Sequence, residues 1–407
     1  MHPKDLSIAD FTYFLPEDRI ASHPLAQRDA SKLLLYKNGL ISQTVFGNIA
    51  GELPPDSLLV FNNSKVVEAR LLFQKATGGI IEIFTLEPHE QYPDISTAMN
   101  TKGRIFYKCL VGGAGKWKRG MILKKELFIN HELFEIEARI AERRDDCFVI
   151  ELSWVPAEIS FAEVLHAAGK IPIPPYLRRE AEDSDLERYQ TIYARNDGSV
   201  AAPTAGLHFT ESVLERLATK NIEPAYTTLH VGAGTFMPVK SATMRGHAMH
   251  AEFMEVPLTL IIQLMAHECV IAVGTTSMRT IESLYWMGLK CFLNSSIEIS
   301  ELPISQWEIY DELLDKAVDK KTALMALLEW MKQNKLEKLI VKTEIIIAPG
   351  YSFKIASGLV TNFHQPSSTL LLLVSALVGN DWKKIYDYAL ANDFRFLSYG
   401  DSSLLLP

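Results

Sequence analysis

Val270-Ile271-Ala272-Val273-Gly274-Thr275-Thr276-Ser277-Met278-Arg279 reads as a buried strand that turns through glycine and three hydroxyl residues into a helix. Four consecutive apolar residues, bounded by a turn, fit a strand covered on both faces. An apolar-rich run from Met278 to Met287 continues as the helix. The same punctuation recurs along the chain. Leu58-Leu59-Val60-Phe61 stops at the turn residues Asn62-Asn63-Ser64, and Glu211 to Lys220 reads as a helix with Thr210 as its N-cap. Thr343 to Ala348 reads as a strand closed by Pro349-Gly350, and Leu370 to Val378 as a buried helix. Strands alternating with helices imply an α/β domain. Between 68 and 150 the pattern changes to short β runs such as Ile80-Ile81-Glu82-Ile83-Phe84, with glycine-rich turns between them. The expected fold is a larger mixed α/β domain, made of 1–67 and 151–407, with a small antiparallel β-barrel inserted at 68–150. An extended insertion at 291–342 carries an amphipathic helix at Thr322 to Lys332, with Leu324, Leu327, Leu328 and Met331 on one face.

At 407 residues the chain exceeds a single hydrophobic core. The cysteines Cys109, Cys147, Cys269 and Cys291 form no C-x-x-C, which argues against a disulfide framework and fits a reducing cytoplasm. The N-terminus has no signal-like apolar run, and the greasiest stretch is far short of the ~20 residues a membrane span needs. A net charge of −8 argues against general polyanion binding. Residues 101–125 depart from that average, with eight Lys and Arg, no acid, and Phe106, Tyr107 and Trp117 interleaved. The run is either a solvated face of the small β domain or a phosphate-tracking patch with stacking aromatics.

Two segments carry most of the chemistry. Pro203-Thr204-Ala205-Gly206-Leu207-His208-Phe209-Thr210 and Thr228-Leu229-His230-Val231-Gly232-Ala233-Gly234-Thr235-Phe236 each set a histidine among glycines and hydroxyls. Glycine admits close backbone approach, and histidine exchanges protons near neutrality. His208 or His230 is therefore the expected proton-transfer residue, with the carboxylates Glu255 and Glu282 next in line. The turn at Thr275, Thr276 and Ser277 would offer an anion free N–H groups at a helix N-terminus, and Arg279 a planar fork. Thr361-Asn362-Phe363-His364 is a polar cluster between apolar runs, read as a hydrogen-bond hub or part of a site. Gly112-Gly113-Ala114-Gly115-Lys116 lacks the spacing and hydroxyl of a phosphate loop, and His247 and His250 lack a third ligand at metal-like spacing, so no metal is expected.

Taken together these segments resemble the S-adenosylmethionine:tRNA ribosyltransferase-isomerases of queuosine biosynthesis. The resemblance runs from Asp10-Phe11-Thr12-Tyr13-Phe14-Leu15-Pro16 through Arg28 to Leu33, Phe61 to Leu71, Ile173 to Tyr176 and Arg188 to Ala194. It continues through Ser199 to Thr210, the His230 loop, Ala272 to Ser283, Thr361 to Ser375 and Arg395 to Asp401. Asn63, Ser357 and Gln365 stand where the family usually has Asp, Asp and Leu, and 291–342 is longer than usual. The resemblance implies transfer and isomerisation of the ribosyl group of S-adenosylmethionine onto 7-aminomethyl-7-deazaguanine at the wobble position of tRNA. Epoxyqueuosine-tRNA, adenine and methionine would be the products. The sulfonium supplies the electrophile, so S-adenosylmethionine is the expected co-substrate with no further cofactor. On that reading His208, His230 and Glu282 do the chemistry. Thr204, Gly206, Gly232, Gly234, Thr275, Thr276, Ser277, Arg279, Asn362 and His364 hold substrate, with Arg279 and the Thr275–Ser277 turn on the methionine carboxylate. Lys116, Lys118, Arg119, Arg178 and Arg179 hold RNA, and the protein is expected to be a monomer. The alternatives are a diverged paralogue that only binds RNA, and an enzyme using S-adenosylmethionine on another acceptor.

Overall fold

The structure is a computed structural model that describes residues 2–75, 77–118, 120–129, 132–232 and 241–407. Among these, the larger sheet holds nine strands: β1 (Lys32–Lys37), β2 (Leu40–Val45), β3 (Leu58–Asn62), β4 (Glu223–Leu229), β5 (Glu252–Pro257), β6 (Val270–Val273), β7 (Lys338–Thr343), β8 (Gly358–Asn362) and β9 (Ser402–Leu406). Their order is β7-β5-β4-β3-β6-β8-β9-β1-β2. The central four, β4, β3, β6 and β8, are mutually parallel. β5 is antiparallel to both of its neighbours, so β7 runs with the central strands.

The alternation of side chains assigns two faces. Leu58, Val60, Val270 and Ala272 point to a core shared with helices α1 (Thr275–Leu293), α2 (Lys320–Gln333) and α3 (Thr369–Val378). Leu59, Phe61, Ile271 and Val273 point the other way, onto Phe209 and the helix Glu211–Ala218, whose N-cap Thr210 accepts from the Val213 N–H. With both faces covered, β3, β6 and β8 are buried throughout.

A second, antiparallel sheet holds seven strands among the described residues, from Arg70–Gln74 to Phe148–Val155, with Gly169–Lys170 at one edge. It curls so that Arg70–Gln74 approaches Leu123–Ile129, a half-barrel rather than a closed barrel. Its concave side encloses Phe73, Ile83, Tyr107, Trp117, Ile136 and Trp154, and the helix Phe161–Ala168 packs into the same core.

Two sequence expectations shift. Thr343–Ala348 is not a strand: β7 ends at Thr343, and Ile345, Ile346 and Ile347 leave the sheet to cover the core that α1 and α2 share. Burial without pleating produces the same apolar run, so periodicity could not separate them. Helix α1 also begins at Thr275, earlier than its apolar run, because polar residues form its first turn. Among the described residues no helix is long and apolar enough to cross a membrane. Within 291–342, α2 packs against α1 through Leu324, Leu327, Leu328 and Met331.

Candidate active site

The residues that follow the parallel strands converge on one cleft: His230 and Val231 after β4, Gly274 and Thr275 after β6, Phe363 and His364 after β8, and Ile345 to Ile347 beyond β7. Ligands of α/β sheets bind at such carboxyl ends. The cleft has three chambers. One of about 100 Å³ is lined by Thr204, Thr275, Thr276, Asn362 and His364. A second of about 260 Å³ is lined by His247, His250, Glu252, Arg279, Thr369 and Leu370. A third of about 380 Å³ lies between the two sheets and is lined by Ile95, Lys108, His230, Glu252, Phe253 and Lys342. The first and second share Ser368 and Leu370, and the second and third share Gly232, His250 and Glu252.

The two histidines differ in what their rings touch. His208 is buried with both ring nitrogens engaged. Nδ1 lies 2.8 Å from Ser31 Oγ, which itself donates to the Arg28 carbonyl, and Nε2 lies 3.2 Å from Asn362 Nδ2. Burial pushes its pKa down to about 4, so the ring is neutral. His208 reaches the first chamber only through Asn362, whose Oδ1 is buried there without a partner. His230 has one nitrogen engaged. Nε2 is 3.4 Å from Glu255 Oε1, while Nδ1 is buried and has no partner among the described residues. Burial pushes the Glu255 carboxyl up, but His230, Lys338 and Ser96 outweigh it and hold it down at about 2. Beside the free Nδ1 lies Gly198, at φ 128°, where a Cβ would stand 3.1 Å from Nδ1 and 2.2 Å from Ile95 Cγ2. Only glycine suits both that backbone and that space.

At the start of α1, Gly274 adopts φ 89° and turns the chain so that Thr275 and Thr276 face the first chamber. Thr276 Oγ1 is buried there without a partner. His364 completes the wall. Its Nε2 lies 2.9 Å from Thr361 Oγ1, and burial pushes its pKa down to about 4.

Several expected residues belong elsewhere. Arg279, one turn further along α1, does not join Thr275 and Thr276. It lines the second chamber, where Nε donates to the Ile345 carbonyl at 3.1 Å and Nη1 pairs with Glu252. Ser277 is fully buried in the helix, off the chamber walls. Glu282 is sealed in the core. Its carboxylate accepts from Tyr351 Oη at 2.6 Å and from the N–H groups of Lys354, Ile355 and Ala356 at 2.9 Å each, which makes it a staple. Gly206 packs against Tyr193, whose hydroxyl would be 1.9 Å from a Cβ there. Gly232 lines the second and third chambers, and Gly234 lies outside the described residues.

Three cations of the basic run are answered by acids. Lys108 pairs with Glu87 and Glu90, Lys124 with Glu135 and Glu137, and Arg104 with Glu151. Tyr107 and Trp117 are core residues and have no face for a base to stack on. Lys116 and Lys118 remain exposed, while Arg119 lies outside the described residues. Arg179 forks onto the buried Asp185 at 2.7 and 2.8 Å, which leaves the exposed Arg178, paired with Glu17, at that end of the molecule.

Sequence reasoning missed Ser31, Glu252 and the start of α3. Ser368 follows Pro366 and precedes an apolar run, a legible cap signal. Glu252 stands two residues after His250, but its partner Arg279 is 27 residues further along the chain. Ser31 carried no local signal, because its partner is 177 residues away.

A family model described as queuosine biosynthesis protein matches residues 8–405. The crystal structure of S-adenosylmethionine tRNA ribosyltransferase from Thermotoga maritima is 27% identical, covers 98% of this chain and 100% of its own, and superposes with a TM-score of 0.46. A family match over nearly the whole length, on a chain whose glycine–histidine loops meet in one cleft, identifies this protein as a member of the queuosine biosynthesis protein family.

Proposed function

We propose that this chain is an enzyme that transfers and isomerises the ribosyl group of S-adenosylmethionine onto 7-aminomethyl-7-deazaguanine at the wobble position of tRNA. The observation that carries the reading is His230: a buried imidazole with Nε2 held toward Glu255 and Nδ1 free beside the largest chamber of the cleft. A carboxylate on one ring nitrogen fixes the tautomer and leaves the other as a proton acceptor. In the scheme Nδ1 takes a proton from the carbon next to the sulfonium. The C–H electron pair stays on that carbon, stabilised by the adjacent positive sulfur. Asn362 Oδ1 and Thr276 Oγ1, both without partners, give the first chamber the hydrogen-bonding groups that a departing adenine requires. The acceptor base, in a single-stranded anticodon loop, turns out of its stack to reach the cleft. Exposed Lys116, Lys118 and Arg178 are the cations we assign to RNA phosphates.

The test is adenine release from S-adenosylmethionine in the presence of tRNA carrying the deazaguanine precursor. Release that requires this tRNA is expected. Release without RNA would point to another acceptor, and no release would leave an RNA-binding paralogue.

A further inference from the structure

The second chamber joins two features that do not obviously belong together. Arg279 is about nine-tenths buried, with Nε fixed on the Ile345 carbonyl and Nη1 on Glu252, yet among the described residues Nη2 has no partner. A buried guanidinium N–H left unpaired costs free energy that a ligand acceptor would recover. Across the same chamber lies the N-terminus of α3, a helix of ten residues. Ser368 caps the Leu371 N–H, and the Thr369 and Leu370 N–H groups have no partner among the described residues. Helix N-termini favour negative charge. Both features therefore ask for an anion. The Glu252 carboxylate lines the same wall, however, and repels a simple anion while attracting a cation. His247 does not reverse that balance, since burial and then the neighbouring His250 lower its pKa. A ligand that satisfies all three groups carries both charges a bond or two apart.

We infer that this chamber is a zwitterion subsite for the head of an α-amino acid. Arg279 Nη2 and the first N–H groups of α3 receive the α-carboxylate, and Glu252 receives the α-ammonium. The inference rests on the function proposed above, in which the amino acid is the methionyl end of S-adenosylmethionine. It replaces the expectation that Arg279 and the Thr275–Ser277 turn act together. The chamber shares Gly232, His250 and Glu252 with the one that His230 lines, so a head group held here leads its side-chain arm toward that ring.

Calorimetry on the intact chain tests this, with S-adenosylmethionine and its decarboxylated analogue as the two probes. The unaltered protein should bind S-adenosylmethionine at least tenfold more tightly than the analogue. Arg279→Lys should weaken S-adenosylmethionine at least tenfold and leave the analogue within about twofold, since Lys lacks the planar fork. Glu252→Gln should weaken both probes, because both keep the ammonium. If either variant fails to fold, as judged by circular dichroism, the comparison of the two probes on the unaltered protein still decides. Equal affinity for both probes overturns the subsite while the functional reading stands. Failure of S-adenosylmethionine to bind the unaltered protein overturns the functional reading and the subsite with it.

Discussion

His208 and His230 occupy similar glycine-flanked loops, but only one has a ring nitrogen to offer. We expect His230→Ala to lower single-turnover adenine release by ~10² to 10⁴, the usual span for a general base, with S-adenosylmethionine affinity little changed. A loss under about threefold would remove His230 from the chemical step. Gly198→Ala tests the same ring without touching it. The added Cβ meets Ile95 and His230 Nδ1 at a backbone angle that L-residues rarely adopt, so turnover should fall although no reacting group is removed. Steady-state kinetics beside a thermal melt separates that effect from unfolding. Glu282 makes the opposite case. Replacing it with Ala strands three N–H groups and the Tyr351 hydroxyl in the core. Stability should fall by roughly 3 kcal/mol or more, read by denaturant titration, with the folded fraction retaining its turnover. The residue types at these positions were legible in the sequence. Their partners were not, because a histidine's or a glutamate's role depends on which atoms surround it.

Among the elements, α1 shows how tertiary contacts divide a motif. Arg279 shares one face of the helix with Thr275 and Thr276, at i+4 and i+3 spacing, but the Ile345 carbonyl and Glu252 hold the guanidinium in another chamber. The contact of α1 with α2 depends on Gly288, where a Cβ would lie 2.3 Å from the Ala323 carbonyl oxygen. Gly288→Ala gains about 1 kcal/mol of helix propensity in isolation. Here it would force the two helices apart, and overpacking of this kind costs about 1–3 kcal/mol, so the net effect should be a lower melting temperature in calorimetry. A higher one would mean that the crossing yields more easily than its geometry indicates. The amphipathic stripe of α2 and the cap of Glu211–Ala218 were readable, since both are local periodicities. The departure of Ile345 to Ile347 from the sheet was not, because a buried covering segment and a buried strand share one composition.

Over the whole molecule, two buried carboxylates tie distant parts together. Asp185 joins Arg179 to Tyr399, and Glu255 on β5 joins Ser96 of the helix Ile95–Met99 to Lys338 on β7. Burial pushes both pKa values up, yet hydrogen bonds prevail and hold each at about 2, below ordinary values of 3.8 and 4.5. Depressed carboxylates contribute stability that is complete above the unfolded-state values and is lost as pH falls toward the folded ones. The melting temperature should therefore drop between about pH 4.5 and 2, and Asp185→Asn or Glu255→Gln should flatten that drop. On the outer surface, replacing Lys116 and Lys118 with Gln should reduce the salt dependence of tRNA binding by roughly one unit of log–log slope per lost phosphate contact. An unchanged slope would leave them as solvated side chains of the half-barrel.

The sequence by itself determined the α/β class, the strands β3 and β6, the helix that follows β6 and the two glycine–histidine loops. All of these follow from residue periodicity and from backbone angles that neighbouring residues impose. Tertiary structure alone decided which histidine keeps a free nitrogen, where Arg279 points, and which cations of the basic run meet acids and which stay in open solvent. Those outcomes depend on groups far apart along the chain: Ser31 and Asn362 on His208, Glu252 on Arg279, and the acids of neighbouring strands on Lys108 and Lys124. Burial and hydrogen-bond partnership are set by proximity in space, and only the closed fold defines it.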